Sequence, residues 1–280
     1  MKFTKMHGLG NDYIYINCLE QSIEEPEILA VQMSRQHFGV GSDGLILIEQ
    51  SDCADCKMRI FNADGSEAEM CGNGIRCIGK YMYENRIVKK PEIFVETKAG
   101  IKKLTLLLEG ERVKQVQVCM GEPIWEAKRI PVRMKYSPVA FCPITIGTAT
   151  FVLHAVSIGN PHGVIFQEEL DDEIVQIYGP LLEKHSVFPR HANIEFVKVI
   201  DENHIQVKVW ERGSGETLAC GTGACAAAVV CANCGYTNRE VEVQLPGGAL
   251  QIEWNEKNNC IYMTGPAEEV FEGSYQIRSY

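Results

Sequence analysis

Two cysteines have the type and setting for proton chemistry, each opening a Gly-polar-Gly step: Cys71-Gly-Asn-Gly-Ile-Arg-Cys77 and Cys220-Gly-Thr-Gly-Ala-Cys225. The runs that follow, 75–82 and 224–231, suit helices. A short side chain and two glycines at a helix start leave backbone N–H groups exposed. Such a nest attracts anions and favours thiolate over thiol. One site of this kind is weak evidence, because structural cysteines are common at helix starts. A matched pair, one in each half of a 280-residue chain, implies two similar half-molecules, each presenting a thiol to a shared cleft.

A helix-start thiolate can serve as nucleophile or as general base. A nucleophile usually has a histidine as its base, and neither cysteine has one adjacent in sequence; His162 is the candidate to approach in space. A symmetric thiol/thiolate pair suits a different task. One sulfur removes a proton from a carbon and the other delivers a proton to the opposite face, inverting the stereocentre. An amino-acid α-carbon is a weak acid, so its carboxylate must be held by donors that stabilise the developing charge. Gly72-Asn73 and Gly221-Thr222 can supply backbone N–H groups, while Glu211-Arg212 offers a carboxylate for an ammonium and a guanidinium for a carboxylate. No PLP-lysine motif or dinucleotide fingerprint is present, since Gly8-Leu-Gly10 and Gly39-Val-Gly41 are incomplete. The expectation is therefore no cofactor and no metal. Two rivals remain. The thiols could form a redox disulfide, although they lack a close Cys-x-x-Cys arrangement. Cys53-x-x-Cys56 and Cys231-x-x-Cys234 could supply four thiolates to a structural zinc, although the pairs lie far apart without knuckle-like glycines.

Composition narrows the classes. Lys plus Arg total 27 against 37 for Asp plus Glu, a formal charge of −10. That balance argues against a nucleic-acid surface. No apolar run approaches transmembrane length, and Met1-Lys2-Phe3-Thr4 is not followed by a secretory apolar region. The expected location is cytoplasmic, where the 12 cysteines would be free thiols.

The elements that must position the two motifs are short strands around one principal helix per half. In the first half, strands are expected over 3–6, 12–17, 45–48, 57–62, 94–97, 101–108 and 115–119, with a helix over 28–38. In the second half, strands are expected over 149–157, 164–166, 193–200, 204–211, 241–245, 250–254 and 260–264, with a helix over 174–183. Gly159-Asn160-Pro161-His162-Gly163 reads as a loop, and Asp201-Glu-Asn203 as a hairpin turn. Asn residues beside Gly or Pro are first of all turn residues. Arg76 and Arg239 read as solvated or interdomain side chains.

The chain resembles the diaminopimelate epimerase family, cofactor-independent amino-acid epimerases of lysine biosynthesis. The resemblance spans essentially the whole chain. It rests on His7-Gly-Leu-Gly-Asn-Asp12, the run from Phe61 through Met70 into Cys71–Cys77, Gly159-Asn-Pro-His162, Asn193-Ile-Glu-Phe-Val197, and the run from Glu211 through Ala219 into Cys220–Cys225. It implies an α/β fold of two pseudo-symmetric domains, each a barrel-like, mostly antiparallel sheet around a central helix. Residues 1–120 plus 266–280 would form the first domain and 121–265 the second. By motif, Cys71 and Cys220 look like the acid/base pair, and Asn11, Asn62, Asn160, Asn193 and Arg212 like side-chain ligands of the substrate. Gly72-Asn73 and Gly221-Thr222 look like the backbone cradle. Glu211 looks like the partner of the ammonium and, with His162, a modulator of the thiols. Some members carry glutamine where Gly44 stands here, so one polar contact is missing or replaced. The resemblance implies LL- and meso-diaminopimelate as substrate and product, feeding lysine or peptidoglycan synthesis, and a homodimer. A histidine or lysine racemase of the same two-cysteine mechanism remains the alternative.

Overall fold

The computed structural model describes residues 1–276. The chain divides into two compact units, residues 1–118 with 265 onward, and residues 119–264. Of the segment 266–280 expected in the first domain, the last four residues lie outside the described ones.

Unit 1 begins with β1 (Lys2–Gly8) and β2 (Asn11–Asn17), then α1 (Pro26–Ser34), β3 (Gly44–Glu49), β4 (Cys56–Asn62) and β5 (Glu67–Ala68). The central helix α2 (Gly72–Glu84) follows, then β6 (Glu92–Thr97), β7 (Gly100–Glu109) and β8 (Arg112–Gly121), whose end already belongs to the second unit. Alternation of apolar and polar residues sets the strands: Ile93 and Val95 are fully buried while Glu92 and Phe94 face out, as a sheet with one buried face requires. α2 buries Ile75, Cys77, Ile78 and Met82 against the sheet, the i, i+3, i+4 spacing of an amphipathic helix. α1 stops at Ser34, four residues short of the sequence expectation. The N–H groups of Val40 and Gly41 turn back onto the Met33 carbonyl at 2.8 and 2.9 Å, which closes the helix before Phe38 can join it.

Unit 2 repeats the plan with β9 (Cys142–Ile146), β10 (Ala149–Ser157), β11 (Pro161–Phe166), α3 (Asp172–Glu183), β12 (Asn193–Asp201), β13 (His204–Glu211) and β14 (Gly215–Thr217). Its central helix α4 (Gly221–Asn233) leads into β15 (Glu240–Leu245), β16 (Gly248–Trp254) and β17 (Ile261–Gly265). α4 is apolar nearly all round, with residues 223–231 all buried, because it packs on β10, β11, β12, β13, β15 and β16. Gly235, at φ +76°, ends it in a left-handed turn. Pro161 opens β11, so His162 stands on a strand and not in the loop expected from the sequence. Proline is tolerated at a strand's first residue.

The chain then adds β18 (Glu268–Ser274) antiparallel to β1, with Lys2 opposite Ser274. The pairing order is the same in both units. Strands β1 to β7 run antiparallel, parallel, antiparallel, with β4 flanked by β5 and a parallel β6. Strands β10 to β16 do likewise, with β13 flanked by β14 and a parallel β15. Each unit is a mostly antiparallel sheet around one central helix. No helix among the described residues is long and apolar enough to cross a membrane.

Candidate active site

Both catalytic candidates are N-caps. Cys71 precedes α2 in extended backbone, and its Sγ accepts the Gly74 N–H at 3.4 Å. Cys220 does the same before α4, accepting the Gly223 N–H at 3.3 Å. The glycines are required by what lies beneath the helix starts. A Cβ on Gly74 would sit 2.6 Å from Ile46 Cδ1, and one on Gly223 would sit 2.9 Å from Glu195 Oε1.

Around Cys71, unit 1 assembles a network in which the cysteine Sγ donates to Asn11 Oδ1 at 3.3 Å, and Asn73 Nδ2 donates to the same oxygen at 3.3 Å. Asn11 Nδ2 in turn donates to Asp43 Oδ2 at 2.7 Å, and the Asp12 N–H to the same carboxylate at 2.9 Å. Burial pushes the Asp43 carboxyl up, against the pull of the Asp12 N–H. Tyr13, on the strand that carries Asn11, is buried beside the cysteine. Burial first, then Cys71, hold its hydroxyl well above its usual range. Asn62, at the end of β4, donates to Ser66 Oγ at 3.0 Å. It lies opposite Gly44 in the β3–β4 register. A Cβ at Gly44 would sit 2.2 Å from the Phe61 carbonyl oxygen, so this backbone has no room for a side chain there. Asp43, one residue earlier, supplies the polar contact to Asn11.

Arg76 departs from its expected solvated or interdomain role. It is fully buried inside unit 1. Its Nε donates to the Pro266 carbonyl at 3.0 Å, Nη1 to the Gly72 carbonyl at 3.2 Å, and Nη2 to Asn73 Oδ1 at 2.9 Å. One guanidinium thus ties Gly72 and Asn73 to the turn before β18.

Around Cys220 the partners differ. Thr222 Oγ1 lies 3.5 Å from the sulfur and accepts from Asn160 Nδ2 at 3.4 Å. Asn160 Oδ1 lies 2.9 Å from His162 Nε2, and His162 Nδ1 lies 2.7 Å from Glu195 Oε1. Asn193 Nδ2 donates to the Pro161 carbonyl at 3.3 Å, and its Oδ1 accepts the Arg212 N–H at 2.9 Å. Glu211 Oε1 accepts from Thr217 at 2.6 Å. Cys220 is 5% exposed. Burial, followed by the Glu211 and Glu195 carboxylates, pushes its thiol well above the usual range, and the Thr222 hydroxyl and Gly223 N–H only partly oppose this. At Cys220 desolvation thus opposes the thiolate that the helix start favours. Burial favours the thiol at Cys220, the proton-donating state that one member of a two-base pair needs.

Unit 1 gathers Asn11, Cys71, Gly72 and Asn73, with Asn62 at the end of β4, two strands from Asn11. Unit 2 gathers Asn160, His162, Asn193, Cys220, Gly221 and Thr222, with Glu211 and the exposed Arg212 at the end of β13. The sequence reading missed Asp43, Tyr13, Glu195 and Glu183. Glu195 had a visible signal, a carboxylate inside the apolar run 194–197; the others become neighbours only through the fold. Elsewhere, the exposed Cys53 lies near Ser51 and Glu96 at 3.6 Å, and Cys234 Sγ lies 3.6 Å from His154 Nδ1. Burial pushes the Cys56 and Cys231 thiols up to about 12. Among the described residues, no three His, Cys, Asp or Glu side chains cluster as a metal site.

The family model described as diaminopimelate epimerase matches residues 3–126 and 154–270. A diaminopimelate epimerase of Methanococcus maripaludis strain C6 is 53% identical over 277 residues, covering 99% of this chain and all of that one. One from Acetivibrio thermocellus is 52% identical, covering 99% of each. Among solved structures, a probable proline racemase from Agrobacterium radiobacter K84 aligns with a TM-score of 0.73 at 14% identity, covering 99% of this chain and 93% of that one. A phenazine biosynthesis protein of the PhzF family from Bacillus anthracis aligns at 0.71 and 17%, covering 99% of each. These two share the fold. By its sequence, the chain belongs to the diaminopimelate epimerase family.

Proposed function

We propose that this isomerase interconverts LL- and meso-2,6-diaminopimelate by two-base proton transfer, with neither pyridoxal phosphate nor metal. Cys71 and Cys220 are the two bases. One thiolate takes the α-proton while the other thiol returns a proton to the opposite face, and the roles exchange in the reverse direction. The observation that carries this reading is the equivalence of the two thiols. Each caps the central helix of its unit, and each is followed by N–H groups able to hold the reacting carboxylate as charge develops on it. Glu211 takes the reacting ammonium. Asn160, Asn193 and Arg212 hold the distal amino-acid head, and Asn11 and Asn62 complete the ligand set. The names of the relatives support diaminopimelate as the substrate. The enzyme would work in the cytoplasm as a homodimer, in lysine or peptidoglycan supply.

The test is α-proton exchange in D₂O with diaminopimelate, histidine and lysine. Fast exchange is expected with diaminopimelate alone, because Arg212 has no partner for its charge when the distal carboxylate is absent. A preference for histidine or lysine would sink the assignment.

Glu183 supports the Arg212 turn. Buried at the end of α3, it accepts the Trp210 indole N–H at 3.0 Å and the Gly213 N–H at 3.1 Å. Glu183→Ala removes both acceptors. It is expected to lower stability by about 2 kcal/mol and to raise KM for diaminopimelate more than it lowers kcat. Urea unfolding and Michaelis analysis check the two effects separately.

A further inference from the structure

The repeat carries an internal comparison. In unit 1 the parallel pairing sets Tyr13 opposite Gly44, and Ile46, two residues on, lies beneath the Cys71 nest. In unit 2 the corresponding pairing sets His162 opposite Asn193, and Glu195, two residues on, lies beneath the Cys220 nest. A tyrosine and an isoleucine on one side are thus replaced by a histidine and a glutamate on the other. Both side chains of the second pair are completely buried. The two nests are built alike, but the Cys220 nest rests on a histidine–carboxylate pair and the Cys71 nest on a tyrosine and an isoleucine.

The hydrogen bonds limit where protons can sit. Asn160 donates its amide to Thr222 Oγ1, so its carbonyl oxygen faces His162 Nε2 at 2.9 Å. A carbonyl oxygen can only accept, so Nε2 carries a proton. Nδ1 faces Glu195 Oε1 at 2.7 Å, and that contact holds a second proton, on nitrogen or on oxygen. The pair is then neutral overall. Glu195 Oε2 is buried with no hydrogen-bond partner, a costly place for a full negative charge. Burial accordingly pushes the Glu195 carboxyl up, with His162 opposing and Glu211 adding to the effect.

We propose that Glu195 is a positioning residue that keeps one proton shared with His162, so that the chain His162–Asn160–Thr222 donates into Cys220 Sγ and readies that thiol to ionise. This rests on the reading of Cys220 as one of the two proton-transfer groups. With the shared proton in place, Nε2–H donates to Asn160, the Asn160 amide donates to Thr222, and the Thr222 hydroxyl is free to donate to the sulfur 3.5 Å away. When the Glu195 carboxyl ionises, the imidazole presents an N–H to it from Nδ1. Nε2 then becomes an acceptor, the Asn160 amide turns over, and Thr222 accepts from Cys220. The thiol now faces the Glu195 carboxylate from β12 as well as Glu211 from β13, with the His162 imidazole between Glu195 and Asn160 on β11. Both the reversed chain and the added charge oppose the thiolate. Cys71 sits instead above Tyr13 and Ile46 and is out of reach of the Glu195–His162 pair within its own unit.

Glu195→Gln separates these effects. Its amide N–H donates to Nδ1 and keeps the proton on Nε2, but the side chain cannot become a carboxylate. The pH dependence of iodoacetamide alkylation, followed at Cys220 and Cys71 by peptide mass spectrometry on the full chain, reads the result without needing turnover. The pH of half-maximal reactivity at Cys220 is expected to fall by about one unit or more in Glu195→Gln, with Cys71 unmoved. Thr222→Val, which cuts the chain at its hydroxyl, is expected to raise it and serves if Glu195→Gln does not fold. An unmoved Cys220 in the folded variant overturns the proposal. In exchange assays the Cys220 limb moves to lower pH as the rising limb for one stereoisomer and as the falling limb for the other, whereas a merely structural role lowers both rates and moves neither. If wild-type protein fails to turn over diaminopimelate, the functional reading falls, while the alkylation result still decides the role of Glu195.

Discussion

Replacing either Cys71 or Cys220 by alanine is expected to lower the rate of LL-to-meso conversion by at least roughly 10²–10⁴-fold, the range for losing a positioned acid or base. The two losses are not expected to add. In the proposed two-base scheme the cysteines act as one unit, so the double variant should be little worse than either single one. A finer signature follows from the separate tasks of the two sulfurs. With one thiol gone, the other can still take the α-proton from the stereoisomer it faces and return a deuteron to the same side. Exchange with retention should therefore survive in part for one stereoisomer in each single variant, and for the opposite stereoisomer in the other. Deuterium incorporation measured separately on the LL and meso substrates checks this. Near-wild-type inversion in either variant would count against the two-base scheme.

Choice of substitution matters because each sulfur is also a helix cap. Cys71 accepts from Gly74 and Cys220 from Gly223, and losing an N-cap acceptor costs about 1 kcal/mol. Serine is a preferred cap but a far weaker acid than a thiol. Cys71→Ser and Cys220→Ser should therefore keep the stability of the wild type and still lose inversion, whereas the alanine variants should lose both. Agreement between serine and alanine in activity, with a difference in unfolding midpoint, would separate the chemical role of the sulfur from its structural one.

How much of this was legible in the sequence depended on how far each feature reaches along the chain. The two capping motifs are local: a cysteine, a Gly-polar-Gly step and an apolar run contain all that is needed to place a thiol at a helix start. Asn11, Asn160 and Asn193 were legible through the family motifs around them, although turn chemistry alone explains an Asn beside Gly or Pro. Features that depend on register were not legible. Glu195 meets His162 only because β11 and β12 pair in parallel with His162 opposite Asn193, and Asp43 meets Asn11 only through the matching β2–β3 pairing. The balance between helix start and burial at Cys220 was not legible for the same reason. A helix start can be read from sequence, but the two carboxylates and the burial that oppose it cannot. Pro161 could have been read either way, as a loop residue or as a strand's first position, and the parallel partner strand decided it. Arg76 was misread because charge on a helix usually means solvent, whereas its acceptors lie at a neighbouring cap and at Pro266, far along the chain.

Arg76→Met is expected to be the most destabilising single change in unit 1 and to impair turnover even in molecules that remain folded. The guanidinium donates to the carbonyls of Pro266 and Gly72 and to the Asn73 side chain, among its partners, in a fully buried place. Methionine fills much of the volume but satisfies none of them. With about 1–3 kcal/mol for each buried polar group left without a partner, and partial relaxation, a loss of about 3–5 kcal/mol follows, a large share of the total stability of an ordinary domain. Lysine reaches fewer acceptors with its single ammonium, so Arg76→Lys should fall between methionine and wild type. Urea unfolding midpoints order the three. The second effect is specific to the site. Asn73 shares Asn11 Oδ1 with Cys71, and releasing Asn73 from Arg76 frees the backbone that would hold the reacting carboxylate. Exchange rates measured well below the unfolding transition should therefore fall, with kcat reduced more than KM is raised. If Arg76→Met lost stability but kept the wild-type kcat in its folded state, the guanidinium would be a girder of unit 1 alone, and the Gly72–Asn73 cradle would stand without it.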